Sequence, residues 1–273
     1  MTITTLQQIE DGELGYPFVF DKSFSNLPSP QLGRGTVSWY MNSGTPGAGD
    51  TPSSGMAGNT LTAPITGQMV KPPVSNTTYF YSFTCRNYTS GAYNLTLICD
   101  RLWHNSGITI TSTAAQTVNS VVWPARDKNG SSNGEGVFIG LELSASTGSG
   151  TPILTLTYTN QNGVSGRTAT VVVDTIASAL KGGFYIFGLQ AGDTGVRSIQ
   201  TYQQSTSWTT GTVHLVAFRI IAALPNKGVG VGGAIHDYNS MGLTPVHNDA
   251  VLFLINLATG VGKQLINVRY TQG

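Results

Sequence analysis

The sequence predicts an all-β protein: an antiparallel β-sandwich or jelly-roll-like body over residues 78–273, preceded by an irregular, extended N-terminal arm over residues 1–77. Three observations predict it. Charged residues make up 10% of the 273 positions, against about 25% in an ordinary globular chain, and Thr, Ser and Asn stand where Lys and Glu usually would. Segments after residue 78 alternate apolar and polar side chains with a period of two, as half-buried strands do. Turn signals, with Gly alone at 34 positions, separate these segments at roughly 10 to 15 residue intervals, the rhythm of antiparallel sandwiches. At this length roughly three quarters of the unfolded surface can be buried, so a sizeable core is available.

Taken in order, Leu6-Gln7-Gln8-Ile9-Glu10 suits one or two helical turns with Thr4 or Thr5 as N-cap, too short to stand alone. Tyr16, Phe18, Phe20 and Phe24 follow in a run broken by Pro17 and lacking a periodic apolar partner, which predicts packing on a neighbouring surface. Pro46, Pro52, Pro64, Pro72 and Pro73 lie among many glycines in residues 41–75, so a long ordered loop or arm is expected there.

Strands are expected at residues 79–84, 93–99, 137–143, 153–159, 168–174, 184–189, 196–202, 213–221, 251–256 and 265–270. The cleanest is 153–159, where Leu154, Leu156 and Tyr158 alternate with Thr155, Thr157 and Thr159. Asn162-Gly163 reads as a type I′ hairpin turn into the next strand. Residues 213–221 are apolar on both faces, as a central strand covered on both sides would be. Residues 174–181 fit a short helix or a crossing loop equally well.

Two cysteines, Cys85 and Cys99, make no disulfide framework and no four-cysteine zinc site. In a hairpin about Thr89-Ser90-Gly91 they would lie out of register for a bond, so two free thiols packed as small hydrophobes are expected. The net charge of +1 comes without any Lys/Arg cluster, which argues against a nucleic-acid partner. The first residues lack a basic segment followed by an apolar one, so no signal peptide is expected; no apolar run nears the ~18 residues that span a bilayer.

No reaction is legible. Asp100, Asp127, Glu135, Glu142, Asp174 and Asp193 are scattered, each beside a turn or at an outward strand position, where turn and capping roles are expected. His104, His214, His236 and His247 show no metal-ligand spacing, and His214 shares a strand face with Val216 and Phe218. Gly228 to Gly233 formally fits G-x-G-x-x-G, yet no βαβ unit surrounds it, so a surface loop is expected. No catalytic, cofactor or metal residues are assigned, and no enzyme is expected. The densest chemistry is Asp100-Arg101-Leu102-Trp103-His104-Asn105-Ser106-Gly107. It reads as a corner leaving a core strand or a subunit contact, with a sugar-stacking platform as the lesser reading.

That run resembles a segment of tailed-bacteriophage virion structural proteins. So do Pro124-Ala125-Arg126-Asp127 with its loop to Gly134, and the run from Leu189 to Ser198 containing Asp193. Gly33-Arg34, Ser38-Trp39-Tyr40 and the closing Tyr270-Thr271-Gln272-Gly273 resemble the same group. The resemblance implies a non-enzymatic virion component made in the host cytoplasm, capsid-associated or of head-decoration type. Its implied partners are other virion proteins, major capsid or neck, and copies of itself, with a homotrimer as the expected assembly. The contact residues expected on this reading are Tyr16, Phe18, Phe20, Phe24, Trp39, Tyr40, Arg101 and Trp103. The alternatives are a collar, tail or fibre module that binds other tail proteins or host glycans, with Trp103, Trp123, Trp208 or nearby tyrosines as stacking platforms, and a polysaccharide depolymerase with converging carboxylates.

Overall fold

In the computed structural model, one short helix, α1 (Leu6–Asp11), opens the chain. Gln8 N–H donates to Thr5 Oγ1 at 3.3 Å and Thr5 N–H donates to Gln8 Oε1 at 3.2 Å, a reciprocal capping box that satisfies two donors of the first turn. The structure describes residues 3, 5–11, 13–18, 21–22, 35–40, 44–69, 77–87, 94–173, 181–226, 234–237, 242–258 and 264–273. The expected loop at 228–233 and the segment 174–180 lie outside them.

Among the described residues everything else regular is strand: β1 (Glu13–Phe18), β2 (Asp21–Lys22), β3 (Gly35–Val37), β4 (Gly44–Thr45), β5 (Asn59–Thr60) and β6 (Thr78–Asn87). There follow β7 (Asn94–His104), β8 (Gln116–Thr117), β9 (Val137–Ala145), β10 (Ile153–Asn160), β11 (Arg167–Val172) and β12 (Gly183–Ile186). The last are β13 (Val196–Gln204), β14 (Thr212–Asn226), β15 (Ala234–Asp237), β16 (Thr244–Val246), β17 (Leu252–Ala258) and β18 (Gln264–Gln272). The all-β, antiparallel class read from the sequence is the observed one.

The centre of the molecule is a closed antiparallel barrel. β14 pairs with both β9 and β7, so the order β14-β9-β12-β3-β17-β7 returns on itself, with β5 added beyond the end of β17 on β7. A four-stranded sheet, β11-β10-β13-β8, covers one flank, and a sheet built on β1-β18-β6-β15 covers another. Closure removes the barrel's free edges, which antiparallel sheets otherwise expose to wrong partners.

Alternation along β14 shows how one strand serves several cores. Val213, Leu215 and Ala217 face the four-stranded sheet and pack with Leu141, Leu154, Leu156 and Trp208. Val216 and Phe218, from the other face, point into the barrel against Phe184 and Phe253. A register irregularity between Ile220 and Ala222 then turns Ile221, Ala222 and Leu224 toward the β6–β18 sheet, where they meet Phe80, Ile266 and Val268. Each fully buried side chain of this size stabilises the fold by ~1.5–3 kcal/mol. The expectation of a strand covered on both sides holds. Gly140 of β9 makes room inside the barrel, because a Cβ there would collide with the Phe184 ring.

Several local expectations are corrected. β6 and β7 do not form a hairpin; β6 pairs with β18 and β7 with β14 and β17, so Cys85 and Cys99 fall in different cores as buried free thiols. The β10–β11 connection is not a two-residue type I′ turn. Asn160 Oδ1 accepts from the N–H groups of Asn162 and Val164 at 3.0 and 2.9 Å, and Gly163, at φ 80°, supplies the positive φ. The expected irregular N-terminal region is, where described, bonded to its own chain in several places. β3 sits between β12 and β17, and β1 lies on β18. Residues 55–69 form a strap along the barrel: Leu61 N–H donates to Leu102 O at 2.9 Å, Ala63 N–H to Asp249 O at 3.0 Å and Met69 N–H to Leu252 O at 2.8 Å.

Candidate functional site

The run from Asp100 to His104 is not a corner. It is the second half of β7, and its charges point into the protein because each finds a partner there. A strand's alternation sends Arg101 into the barrel and Asp100 out of it, so the two neighbours found two separate polar nodes.

In the inner node, Arg101 Nη2 donates to Glu142 Oε2 at 2.6 Å, and neither side chain has any exposed surface. Tyr40 OH donates to the same oxygen at 3.0 Å. The guanidinium carbon lies 4.5 Å from the Trp39 ring centroid and 5.6 Å from that of Phe253, so aromatic faces replace water around the cation. Arg101 Nη2 also lies 3.2 Å from His104 Nδ1, and His214 bridges Asn105 O and Ser144 Oγ at 2.8 Å each. Burial, and then the Glu142 carboxylate, push the Tyr40 hydroxyl well above its ordinary value.

In the outer node, Arg126 fastens three pieces of chain. Nε donates to Asp100 Oδ2 at 3.0 Å, Nη1 to Asp249 Oδ2 at 2.7 Å, and Nη2 to Leu61 O at 2.9 Å. Val251 N–H donates to Asp100 Oδ1 at 2.9 Å, which completes the carboxylate's contacts. Burial raises the Asp100 carboxyl above its ordinary value, against the pull of Arg126. Asp249 is held below its ordinary value by Arg126, against its own partial burial, which acts the other way.

The remaining polar centres organise loops. Asp127 accepts from the N–H groups of Asn129, Ser131, Gly134 and Glu135 and from Ser131 Oγ, at 2.8 to 3.1 Å. Asp193 accepts from Arg167 Nε at 2.8 Å, Asn160 Nδ2 at 2.7 Å and Tyr158 OH, and so ties β10, β11 and the 189–195 loop together.

The candidate contact residues divide three ways. Trp39, Tyr40, Arg101 and Trp103, expected to meet a neighbouring subunit, are 2, 4, 0 and 0% exposed. That expectation is corrected: their partners are Asp50, Glu142 and Ala57 of the same chain. Tyr16 and Phe18 lie on β1, whose side chains are not described, and Phe20 and Phe24 lie outside the described residues. Glu142, expected on an outward face, points into the barrel because Arg101 and Tyr40 wait there. Sequence reasoning missed Arg126, Asp249 and His214 as members of shared nodes, since their partners lie 26 to 123 residues away.

Chemically, the Arg101–Glu142 and Arg126–Asp100 pairs are sealed from water and suited to holding strands, while Asp249 leaves the outer node partly open to solvent. The tryptophans put forward for sugar stacking are equally enclosed. Trp103, Trp123 and Trp208 are at most 2% exposed, with each indole N–H donating to a backbone carbonyl: Ala57, Val196 and Gly150.

No family model matches the chain, and no curated protein matches it. Among solved structures, the VP2 subviral particle of infectious bursal disease virus aligns over 95% of this chain and 81% of that chain, at 12% identity and a TM-score of 0.24. A mutant VP2 of the same virus, in T=1 particles, aligns over 96% and 81%, at 11% identity and a TM-score of 0.17. Both neighbours are viral particle proteins, and likeness at these TM-scores fixes neither fold nor function.

Proposed function

We propose that the chain is a non-enzymatic structural component of a bacteriophage virion, capsid-associated or of decoration type, which acts through contacts between subunits. The observation that carries this reading is where the charges of the phage-like segments sit. Asp100 and Arg101 in the first segment, Arg126 and Asp127 in the second, and Asp193 in the third are each the centre of a polar node that fastens strands or loops. The residues behind the resemblance are thus spent on architecture, as a structural role asks of them.

Contacts between subunits need apolar surface that water can leave. Ile153 and Val172 are cross-strand neighbours on the four-stranded sheet and are 47% and 68% exposed, and Val122 is 71% exposed. These replace the buried tryptophans as the assigned contact residues. Glycan stacking through Trp103, Trp123 or Trp208 has no exposed ring to use. Purified virions test the reading: Ile153→Lys with Val172→Lys is expected to lower incorporation while the isolated chain still folds. Unchanged incorporation would count against these residues. A chain recovered only from the soluble lysate would count against the whole reading.

A further inference from the structure

The barrel interior holds two histidines whose one neighbouring carboxylate, Glu142, is already paired with Arg101. His104, on β7, faces Arg101, whose Nη2 lies 3.2 Å from Nδ1. Arginine has only donors, so Nδ1 accepts and the ring is neutral with its proton on Nε2. A second proton would sit on the atom Arg101 already occupies. His214, on β14, presents Nδ1 to Asn105 O and Nε2 to Ser144 Oγ, at 2.8 Å each. The carbonyl only accepts, so Nδ1 carries the proton and Nε2 of the neutral ring accepts from the serine hydroxyl.

The charged and titratable groups facing this pair come from each packed element. Arg101 belongs to β7, Glu142 to β9, and Tyr40 to the turn after β3, its ring centroid 6.0 Å from that of His214. Glu142 is already matched to Arg101 and Tyr40 through Oε2, so the enclosure is neutral as it stands. His104 and His214 are 3% and 1% exposed, which leaves water no place to screen an added charge.

We propose that the barrel is acid-sensitive by construction: in mildly acidic solution, opened strands take up protons on His104 and His214 that the closed barrel refuses, so acid favours opening. Burial, then the charge of Arg101 and the neighbouring His214, hold His104 down to about 2. Burial, with the charge of Arg101, lowers His214 too, although its bond to Asn105 O and the charge of Glu142 oppose this. A histidine whose folded value lies below its unfolded value of about 6.5 contributes stability that is complete above that pH and declines as pH falls below it. Asp127, Asp193 and Asp249 are held below the ordinary carboxylate value and act only at lower pH. Asp100, raised by burial, acts with the opposite sign. His247, outside the barrel and also lowered by burial, is separated from the pair by its own variant, His247→Gln. The inference stands apart from the virion reading.

His104→Gln keeps an oxygen to accept from Arg101 and cannot titrate. Urea unfolding of the full chain at pH 7 and pH 5 reads the difference: one histidine of this kind lowers the folding equilibrium by about 25-fold over that interval. The wild type is expected to lose about that factor more than His104→Gln. Equal losses overturn the proposal. Should the variant not fold, nitrogen-15 spectra of the wild-type imidazole decide. A neutral Nε2–H ring throughout pH 7 to 5 supports the proposal, and titration near 6.5 overturns it.

Discussion

Arg101 and Glu142 meet inside the barrel, Nη2 2.6 Å from Oε2, although their strands β7 and β9 never pair: β14 lies between them. The ion pair therefore reaches across a strand and fixes the barrel's girth at that level. Removing one partner strands a charge without water, at a cost of about 3–5 kcal/mol, whereas replacing both with apolar groups of similar volume is far cheaper. Glu142→Gln is expected to fall in that range in urea unfolding, and Arg101→Met with Glu142→Leu to be less damaging than either single change. A double variant as unstable as the sum of the singles would contradict the assignment.

Trp103 illustrates a second dependence, on the strap. Its Nε1 donates to Ala57 O at 2.9 Å, its ring lies 5.1 Å from that of Trp123, and Gly58, at φ 69°, has no room for a Cβ beside it. Trp103→Ala is expected to cost about 3–5 kcal/mol and to speed amide exchange at residues 55–61. Slow exchange there in the variant would show that the strap is held elsewhere.

Arg126 separates buried from exposed pairing. Its partner Asp100 has no exposed side-chain surface, while the Asp249 side chain is 46% exposed. Exposed pairs contribute ~0–1 kcal/mol, so Asp249→Ala is expected to be mild. Arg126→Leu leaves Asp100 buried and unpaired, at an expected cost of about 3–5 kcal/mol. Similar thermal melting of the two variants would refute the distinction.

Acid is expected to reach the flanking sheet at lower pH than the barrel. Asp193 is held down to about 2, first by the hydrogen bond from Arg167 and then by those from Tyr158 and Asn160, with burial opposing. Its folded value lies below its unfolded one, so its contribution is present above about pH 4 and lost as pH falls toward 2. Asp193→Asn is expected to flatten the loss of stability below pH 4 and leave the pH 7 to 5 limb unchanged.

Much of the fold was legible because strand alternation is a local property. Residues 153–159 were expected and Ile153–Asn160 found, with Leu154, Leu156 and Tyr158 buried and the threonines outward. The Thr5 cap was equally local. Partner choice was not: β6 and β7 look like a hairpin in sequence, yet long-range pairing with β18 and β14 sends them to different sheets. The position of the candidate site is legible in the sequence, and its setting is not. Asp100-Arg101 resembles a strand end until Glu142 and Arg126, 41 and 26 residues away, supply the opposite charges. β3, three residues long, carries no period to detect.

A cryo-electron density map of purified virions, from an infection in which the chain is made, decides whether the protein is part of a virus particle. The barrel and its flanking sheets are expected at a symmetric set of positions, with Ile153 and Val172 against a neighbouring subunit. Particles whose density contains no such chain, while it accumulates free in the lysate, would contradict that expectation.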